Sequence, residues 1–535
     1  MKLRPLTLLL CALLAAACSR PSKDDGWWQM RGIVLSTKEL AEVDWPLLAA
    51  DNGINTIGTH ITPSEVLAFL ATDKGRAFIA ACRKHGITVE HQLHAMGELL
   101  PRDLFSEDPE MFRMDASGER TADFNCCVHS EKALDIIASN AARLAKQLRP
   151  GNHRYYFWLD DNAPVCCCPL CRDFSPSEQA LIVENRMLQA IRKVDPKARL
   201  AHLAYSHFMD PPVKVQPDEG IFLEFAPIYR SWDVPLVVED ALCPRGYPVS
   251  NGDNLRWLEA NLQVFDAEDA VVLEYWLDAS LFSRWKRPAV ELPWRPDVCR
   301  SDLATYARYG IRHVTSFAVY MDAEYFERFP STAPVEQYGA MLRTFRHFRG
   351  LSDPWDGLTD GAQVSVCFDG KALSFCFEVP DSTLTVCDGP GERSVDFSDR
   401  AEIFLSCDPA MARYYGFEID AAGKVMDYRN SFYRQFDYDW TGQVAAEGTA
   451  PLAHTGSSQA GYRVEASFTM DYLRQLGVVQ PDGTVLMGLF RADALGSEPV
   501  RPDGTPADIR WYTLRDPSTP EPDFHIPATL FPYQL

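Results

Sequence analysis

The chain has 535 residues, of which 46% are hydrophobic and 24% are charged, as in ordinary globular domains. Its length exceeds what one hydrophobic core supports, so we expect about two or three domains. The 74 acidic side chains outnumber the 52 basic ones, which gives a net charge of −22. Such a surface repels phosphate backbones and argues against nucleic acid as a partner.

The N-terminal residues carry the pattern of an export signal. Two basic residues precede an apolar run, Leu6–Ala17, that is too short to span a bilayer as a mature helix. The segment Leu14-Ala15-Ala16-Ala17-Cys18 resembles a bacterial lipobox, which implies acylation of Cys18; plain secretion is the alternative. We expect a lipoprotein signal peptide over residues 1–18, a tether over 19–29, and an exported lipoprotein of the outer membrane or periplasm. The lipid would be its only contact with the membrane.

Apolar runs alternate with amphipathic helical stretches over residues 30–350. The predicted strands are Gly32–Leu35, Thr56–Ile61, Thr88–His94, Tyr155–Leu159, Leu200–Tyr205, Ile221–Ala226, Ala270–Leu277 and His313–Tyr320. The predicted helices are Trp45–Asn52, Pro63–His85, Glu131–Leu148, Ser177–Val194, Asn251–Phe265 and Val298–Tyr309. Eight strands alternating with helices predict a (β/α)₈ barrel, and the count disfavours a doubly wound open sheet.

The pattern changes near residue 351, after a helical stretch predicted over Thr332–Phe348. Short alternating strands then dominate, and they predict a β-sandwich over residues 351–535. The predicted strands are Ala362–Phe368, Leu373–Val379, Ala401–Leu405, Tyr414–Asp420, Val425–Asp427, Tyr462–Thr469 and Val485–Ala492. No Gly/Ser-rich hinge separates the two domains, so we expect them to be fixed against each other.

Acids, histidines and aromatic residues follow the predicted barrel strands. In such barrels the functional groups lie at the carboxyl ends of the strands. Aromatic rings combined with hydrogen-bonding acids and histidines are suited to holding sugars, so we expect a substrate site at this end. The predicted substrate-binding residues of the barrel are His60, His94, Asn162, Tyr205, Tyr229, Arg230, Trp276, Asp278 and Tyr320.

Asp160 and Asp161 are the foremost catalytic candidates. They follow the apolar run of the fourth strand, and two adjacent carboxyl groups push their pKa values apart, which suits acid/base chemistry. The alternative is a helix N-cap or an Asx-turn. Glu274 is the third candidate, since a carboxylate in an apolar strand is costly unless it is paired or used. Its alternative is an ion pair in the barrel core, for instance with Arg230.

A cysteine cluster, Cys166-Cys167-Cys168-Pro169-Leu170-Cys171, follows the acid pair, and Cys126-Cys127 follow the third strand. We expect Cys126, Cys166, Cys168 and Cys171 to form either a disulfide, which an exported protein permits, or a structural metal site, with zinc as the ion. In both cases the cysteines would brace the loop that carries the acids. No cofactor is expected for catalysis. Cys367 and Cys376 lie in apolar runs and are expected to be small buried hydrophobes.

Three stretches make the barrel resemble the glycosidase-like domain of unknown function 4838 of exported bacterial proteins. They are His94 through Asp108–Phe112 and Gly118-Glu119-Arg120, then Asn125-Cys126-Cys127, then the strand-four acids with the C-x-C-x-x-C motif. The acid pair also resembles that of substrate-assisted hexosaminidases. That resemblance implies that Asp161 is the general acid and that Asp160 orients a substrate N-acetyl group. Without such a group, Glu274 would be the nucleophile or base.

The C-terminal region resembles the family 9 carbohydrate-binding modules. The resemblance rests on Asp399–Leu405, Tyr414–Ile419, Tyr462–Glu465 and Arg491. It implies that this domain binds sugar. Trp440, which lies among other aromatic residues, is the candidate for stacking on a sugar face, and the alternative is an aromatic side chain packed within the sheet. The sequence as a whole predicts an exported hydrolase of O-glycosidic bonds in complex glycans, with carbohydrate as its partner. The alternative is a non-catalytic glycan-binding surface lipoprotein.

Overall fold

The computed structural model describes residues 26–449, 461–495 and 508–535. Over these ranges the chain forms a closed barrel followed by two antiparallel sheets, so the predicted barrel and sandwich are confirmed. The prediction of lipidation at Cys18 lies outside the described residues. No helix in these ranges is long and apolar enough to cross a membrane.

Eight parallel strands close the barrel in chain order, and the first strand pairs with the eighth. They are β1 Met30–Ser36, β2 Thr56–His60, β3 Thr88–His94, β4 Arg154–Trp158, β5 Arg199–Tyr205, β6 Ile221–Ala226, β7 Val271–Glu274 and β8 His313–Phe317. All eight were predicted, with small differences at their ends. Strand β7 stops three residues early because the chain turns there, with the N–H of Asp278 bonded to the carbonyl of Tyr275.

Helices surround the barrel. They are α1 Thr37–Glu42, α2 Trp45–Asp51, α3 Pro63–Leu70, α4 Asp73–His85, α5 Met96–Leu99, α6 Glu131–Gln147, α7 Pro176–Ile191, α8 Asn251–Asn261, α9 Ala279–Phe282, α10 Pro296–Arg308, α11 Ala323–Arg328 and α12 Ala333–Thr344. The single helix predicted over Pro63–His85 is two helices. The Thr72 side chain accepts a hydrogen bond from the N–H of Gly75 at 3.0 Å, which caps a new helix and ends the previous one.

The sandwich packs a nine-stranded sheet against a five-stranded sheet. Its strands are β9 Arg346–Arg349, β10 Ser352–Asp353, β11 Leu358–Thr359, β12 Gln363–Phe368, β13 Ala372–Pro380, β14 Arg400–Ser406, β15 Tyr414–Asp420, β16 Val425–Ser431, β17 Gln435–Asp437, β18 Ala445–Thr449, β19 Gly461–Thr469, β20 Thr484–Ala494, β21 Ile509–Thr513 and β22 Phe531–Gln534, with helix α13 Met470–Leu476. Short 3₁₀ turns cover Arg102–Ser106, Pro109–Met111, Ser206–Phe208, Glu392–Phe397 and Pro527–Thr529. Strand β9 pairs with β12, so residues 346–349, which we had assigned to the barrel, are part of the sandwich sheet.

A buried polar network joins the two domains. Arg463 of the sandwich forms ion pairs with Glu378 and Glu465, both at 2.7 Å, and donates a hydrogen bond to Ser301 of helix α10 at 2.8 Å. From the barrel side, Arg308 pairs with Glu378 at 3.2 Å. Cys367 and Cys376 are buried, as predicted, and they cluster with the hydrophobic core of the barrel.

Candidate active site

A cavity of about 270 Å³ opens at the carboxyl ends of the barrel strands. Its walls are mostly apolar and aromatic, with a few polar groups that converge on the same space. The apolar and aromatic lining residues are Ile61, Trp158, Leu203, Ala226, Ile228, Leu273, Tyr275, Trp285, Phe317 and Val319. The polar lining residues are His60, His94, Asp161, Tyr205, Asp278, Ser280 and Tyr320. This composition is typical of a small-molecule site.

Asp161 is the exposed carboxylate of the cavity. It follows strand β4, and its side chain is 62% exposed. The Nε2 atom of His94 lies 3.8 Å from its Oδ1 atom. Burial raises the pKa of the neighbouring Tyr205 hydroxyl, and the charge of Asp161 and a hydrogen bond to it add to that effect. Asp161 is therefore a solvated acceptor at the cavity wall, flanked by an imidazole and a protonated phenol.

Asp278 is the buried carboxyl group of the cavity. It lies after strand β7, is 4% exposed, and caps the short helix α9. Its Oδ1 atom accepts hydrogen bonds from the hydroxyl and N–H of Ser280, at 2.6 and 3.0 Å, and from the N–H of Leu281 at 3.2 Å. Burial nevertheless raises the pKa of Asp278 to about 6. This group keeps a proton in mildly acidic solution, where an ordinary carboxyl group would have lost it.

Two histidines present defined nitrogen atoms to the cavity. The Nδ1 of His60 lies 2.8 Å from the carbonyl oxygen of Gln92, and that of His94 lies 2.7 Å from the carbonyl of Leu159. A carbonyl only accepts, so each Nδ1 carries a hydrogen. Burial, followed by the charge of His94, lowers the pKa of His60 to about 3, so His60 is neutral and its Nε2 is an acceptor. Such groups suit the hydroxyls of a substrate.

Aromatic faces that the sequence analysis did not single out dominate the walls. Trp158 lines the cavity while its Nε1 donates to buried Glu224 at 2.7 Å. Trp285 is 56% exposed and stacks with the Arg245 guanidinium at 4.9 Å. Tyr275 is a third aromatic residue that lines the cavity. Tryptophan faces of this kind stack on sugar rings. Trp158 and Tyr275 lie within predicted strands. The sequence therefore predicted their place in the barrel, but it did not predict that their rings face the cavity.

Residues with positive φ cluster in the loops around the cavity. Of the ten non-glycine residues of this kind in the described ranges, six lie in loops that follow barrel strands. They are Asn125, Asn162, Ser206, Arg284, Trp285 and Tyr320, with φ between 44° and 72°. Two of them, Trp285 and Tyr320, line the cavity itself. Backbone strain of this kind concentrates where side chains must be held in place for function.

Asp160, the partner of Asp161 in the sequence, does not line the cavity. Its Oδ2 atom forms an ion pair with the Arg102 guanidinium at 2.5 Å and accepts a hydrogen bond from the N–H of Asn125 at 2.6 Å. The Asn125 side chain accepts in return from the N–H of Asp160 at 3.0 Å. Asp160 therefore ties the loop after β3 to the loop after β4. This placement does not fit the predicted role of orienting an N-acetyl group.

Glu274, Arg230 and Trp276 also lie away from the cavity. Glu274 is fully buried on the outer face of β7, where it contacts Arg230 at 3.1 Å and accepts from the Tyr306 hydroxyl. Arg230 also pairs with Asp302 at 2.7 Å, and Trp276 donates to the same carboxylate at 3.1 Å. This network joins the barrel to helix α10. Of the alternatives for Glu274, the structure favours the ion pair over the catalytic role.

The remaining barrel candidates lie at the rim. Asn162 is exposed and accepts a hydrogen bond from Ser206 at 2.6 Å. The Tyr229 ring packs against Tyr247 at 4.0 Å, within electrostatic reach of Asp161. Neither residue contributes to the cavity wall. His60, His94, Tyr205, Asp278 and Tyr320 are the predicted binding residues that the structure does bring together there.

The cysteine cluster forms, but with one residue different from the expectation. The sulfur atoms of Cys127, Cys166, Cys168 and Cys171 lie within 4.8 Å of one another, and all four residues are buried. Cys126, which we had predicted, is buried but is not in this group. The side chains of adjacent residues point in different directions, so only one member of the Cys126-Cys127 pair reaches the cluster.

A second cavity, of about 260 Å³, lies in the sandwich. Charged and aromatic side chains line it: Arg393, Asp396, Arg400, Glu402, Glu418, Tyr428, Arg434, Phe436, Tyr438, Trp511, Asp523, Phe524 and His525, with Pro522. Trp440, the predicted sugar platform, is not among them. It packs against the rings of Tyr415 and Phe417 at 4.8 and 6.1 Å. Trp511 and Tyr438 are two aromatic residues of this cavity with cationic neighbours, since the Arg400 guanidinium lies 5.1 Å from the Trp511 ring and that of Arg393 lies 4.2 Å from the Tyr438 ring.

Comparison with known proteins confirms the family resemblance of the barrel. Residues 64–247 match the model of the family described as domain of unknown function, DUF4838. No curated protein matches the chain significantly.

Similar solved structures cover both parts of the chain. One is a putative carbohydrate-binding protein from Bacteroides uniformis, with 16% identity, coverage of 35% of this chain and 85% of that one, and a TM-score of 0.27. A family 9 carbohydrate-binding module from Caldicellulosiruptor kristjanssonii in complex with cellotriose is 15% identical. The match covers 34% of this chain and 79% of that one, with a TM-score of 0.23. A GH30 endoxylanase from Clostridium papyrosolvens is 8% identical. The match covers 83% of this chain and 98% of that one, with a TM-score of 0.31.

Proposed function

We propose that this chain, whose residues 64–247 match the DUF4838 model, is an exported glycoside hydrolase of complex glycans. One observation carries the proposal. Two carboxyl groups from different strand ends, Asp161 after β4 and Asp278 after β7, line a single aromatic cavity. Hydrolysis of a glycosidic bond by two carboxyl groups needs one proton donor and one ionised partner on opposite sides of the bond.

The environments of the two groups assign their roles. Asp278 is the proton donor, since burial raises its pKa to about 6 and its proton can pass to the leaving glycosidic oxygen as the C–O bond breaks. Asp161 is solvated and is the second carboxylate, which attacks the anomeric carbon or takes a proton from the attacking water. This differs from the expectation from sequence, in which Asp161 was the acid and its partner was Asp160 or, without a substrate N-acetyl group, Glu274.

The other groups in the cavity suit a sugar ring. Trp158 and Trp285 offer faces for stacking, while the Nε2 atom of neutral His60 and the hydroxyl oxygen of Tyr205, whose proton is donated to Asp161, offer acceptors to sugar hydroxyls. Because the cavity of about 270 Å³ is small, we propose that it holds one sugar residue at a chain end. We propose that the second cavity, with Trp511 and Tyr438, binds further parts of the same glycan.

A non-catalytic glycan-binding lipoprotein is the second candidate. The observation in its favour is that Asp278 already has a structural task, because its Oδ1 atom accepts the three hydrogen bonds that cap helix α9. If that task were the whole role of Asp278, the cavity would hold one functional carboxylate only. Binding without turnover would then be its function.

A screen of released sugars distinguishes the two candidates. The full chain would be incubated with a panel of complex glycans, and the products would be separated by chromatography, with Asp161→Asn as the control. Release of sugars by the wild-type chain alone supports the hydrolase. Binding of a glycan, measured by calorimetry, without any release by the wild-type chain would instead support the binding protein.

We propose in addition that Cys18 is acylated and anchors the protein to a bacterial membrane. The support is the lipobox-like segment Leu14–Cys18 that ends the apolar run. In a bacterial host the wild-type chain should sediment with membranes and Cys18→Ser should not. Equal amounts of both in the soluble exported fraction would contradict the anchor.

A further inference from the structure

Four cysteine sulfurs converge at one point beside the barrel mouth. Cys127 comes from the loop after β3, and Cys166, Cys168 and Cys171 come from the loop after β4. All four side chains are buried, and their sulfur atoms lie within 4.8 Å of one another. Neither the family model nor the proposed hydrolysis assigns this cluster a role.

The spacing of the sulfurs fits a tetrahedral ion. The Cys127 sulfur lies 3.8 Å from that of Cys168 and 3.7 Å from that of Cys171. Zinc–sulfur bonds of about 2.3 Å in a tetrahedron place the sulfurs about 3.8 Å apart. A pair of disulfides would instead need two sulfur–sulfur distances of about 2.05 Å and would separate the four atoms into two pairs. The grouping of all four around one point favours the ion.

Hydrogen-bond donors surround the cluster. The N–H of Met114 points at the Cys166 sulfur at 3.3 Å, and the Arg120 guanidinium lies 3.8 Å from the same atom. The Nδ1 of His129 lies 3.3 Å from the Cys171 sulfur. Donors of this kind stabilise thiolates around a metal, and a cation such as Arg120 offsets the negative charge that four thiolates leave on a divalent ion.

The loop that provides three of the sulfurs is already folded for ligation. In Cys168-Pro169-Leu170-Cys171 the N–H of Cys171 bonds back to the carbonyl of Cys168 at 2.9 Å, which closes a tight turn with both thiols on one side. Gln179 of helix α7 fixes the same loop. Its side chain donates to the carbonyls of Cys166 and Cys171, at 3.0 and 3.2 Å.

We propose that Cys127, Cys166, Cys168 and Cys171 bind one zinc ion as a closed structural tetrathiolate site. Binding replaces four thiol protons, which pass to solvent. The ion joins the loops after β3 and β4 near the Asn125–Asp160 contact. In that contact, Asn125 lies two residues before Cys127, and Asp160 directly precedes Asp161. Its role is to hold Asp161 in place without taking part in the reaction. The metal site stands independently of the hydrolase proposal.

Neighbouring cysteines provide matched controls. Cys126 is buried directly beside Cys127, and Cys167 is exposed directly beside Cys168, but neither belongs to the cluster. The full chain and four variants would be purified without chelators, and zinc per chain would be measured by inductively coupled plasma mass spectrometry. Wild type, Cys126→Ser and Cys167→Ser should hold about one zinc per chain, while Cys127→Ser and Cys168→Ser should lose it.

If the cluster variants fail to fold, measurements on the wild-type chain alone still test the proposal. Replacing zinc with cobalt in that chain should give the intense sulfur-to-cobalt absorption of a tetrahedral thiolate site. Mass spectrometry of alkylated, unreduced wild-type protein provides the opposing test. Wild-type protein without bound metal, with these four cysteines paired in two disulfides, would overturn the proposal. So would zinc that is lost equally from Cys167→Ser and Cys168→Ser.

Discussion

In the proposed reaction, Asp278 has both a structural and a chemical task. One carboxylate oxygen holds the N-terminus of helix α9 through three hydrogen bonds, and burial of the group raises its pKa to about 6. The hydrogen bonds favour the charged form, but the loss of solvation outweighs them. The cap therefore fixes the position of a carboxyl group whose protonation changes within the pH range where enzymes work.

The rate should depend on pH through this group. In the proposed reaction Asp278 donates a proton, so its protonated form is the active one, and this form disappears as pH rises through its raised pKa of about 6. We expect kcat/KM to fall about tenfold per pH unit above that value. Asp278→Asn keeps an oxygen that can cap helix α9, and it should lose both activity and this limb of the profile. A wild-type profile that stays flat across pH 6 and above would contradict the assignment.

The direction of side chains on strand β7 explains the misplaced second carboxylate. Leu273 and Tyr275 face the cavity, so Glu274 between them faces helix α10. A strand buried on both faces is apolar throughout, and its sequence has no alternation to show which residues point inward. Sequence reasoning could therefore place Glu274 on this strand and Asp278 after it, but it could not show that Asp278 lines the cavity and Glu274 does not.

Glu274→Gln tests that distinction. The change removes one of the two carboxyl groups beside buried Arg230 and leaves its 2.7 Å ion pair with Asp302 intact. Burial already raises the pKa of Glu274 to about 7, so a neutral side chain is tolerated there, and we expect the free energy of unfolding to fall by only about 1 kcal/mol through weakened hydrogen bonds. The activity per folded molecule should be unchanged because Glu274 does not reach the cavity. Denaturant unfolding and initial rates would measure the two effects, with exposed Glu268→Gln as the control. A variant of normal stability that has lost turnover would return Glu274 to the reaction.

At the scale of elements, the sequence predicted the barrel strands better than the edges of the sandwich. Long apolar runs between glycine-terminated helices leave little choice of structure, and all eight barrel strands were recognised. Short strands such as β11 Leu358–Thr359 and β17 Gln435–Asp437 have two or three residues and are defined by pairing with distant partners. A local pattern cannot show such pairing, so these strands were missed.

Two glycines allow a position after a helix to be compared with a position in a helical turn. Gly86 follows helix α4 with φ of 70°, while Gly97 lies within helix α5, and an added Cβ would touch nothing within 4 Å at either position. Gly86→Ala should lower the free energy of unfolding by about 1 kcal/mol because of backbone strain alone. Gly97→Ala should leave it unchanged or raise it by up to about 1 kcal/mol. Denaturant titration measures both, and equal losses would contradict the argument.

At the scale of the molecule, the two domains are joined by buried charge as well as by apolar contacts. Arg463 of the sandwich contacts Glu378, Glu465 and the barrel residue Ser301, and it is 3% exposed. Removing it leaves buried Glu378 with Arg308 as its remaining ion-pair partner and takes the 2.7 Å ion pair from half-buried Glu465, which is costly. These contacts therefore join the two domains, in agreement with the expectation that they are fixed against each other.

Arg463→Ala should uncouple the domains. We expect the wild-type chain to unfold in one calorimetric transition and the variant to show two, the first at a lower temperature. Arg474→Ala is a suitable control because Arg474 is an exposed arginine of the same domain. A single transition in both variants, at the temperature of the wild type, would show that the charged network does not couple the domains.

The initial rate of sugar release by two matched variants tests the central claim most directly. Asp161→Asn and Asp278→Asn would be compared with the wild-type chain on a glycan that the wild type cleaves, after circular dichroism has shown that both variants are folded. We predict that each rate falls by about 10²–10⁴-fold, because each change removes one of the two carboxyl groups that the reaction needs. Turnover at the wild-type rate in both folded variants would contradict the account.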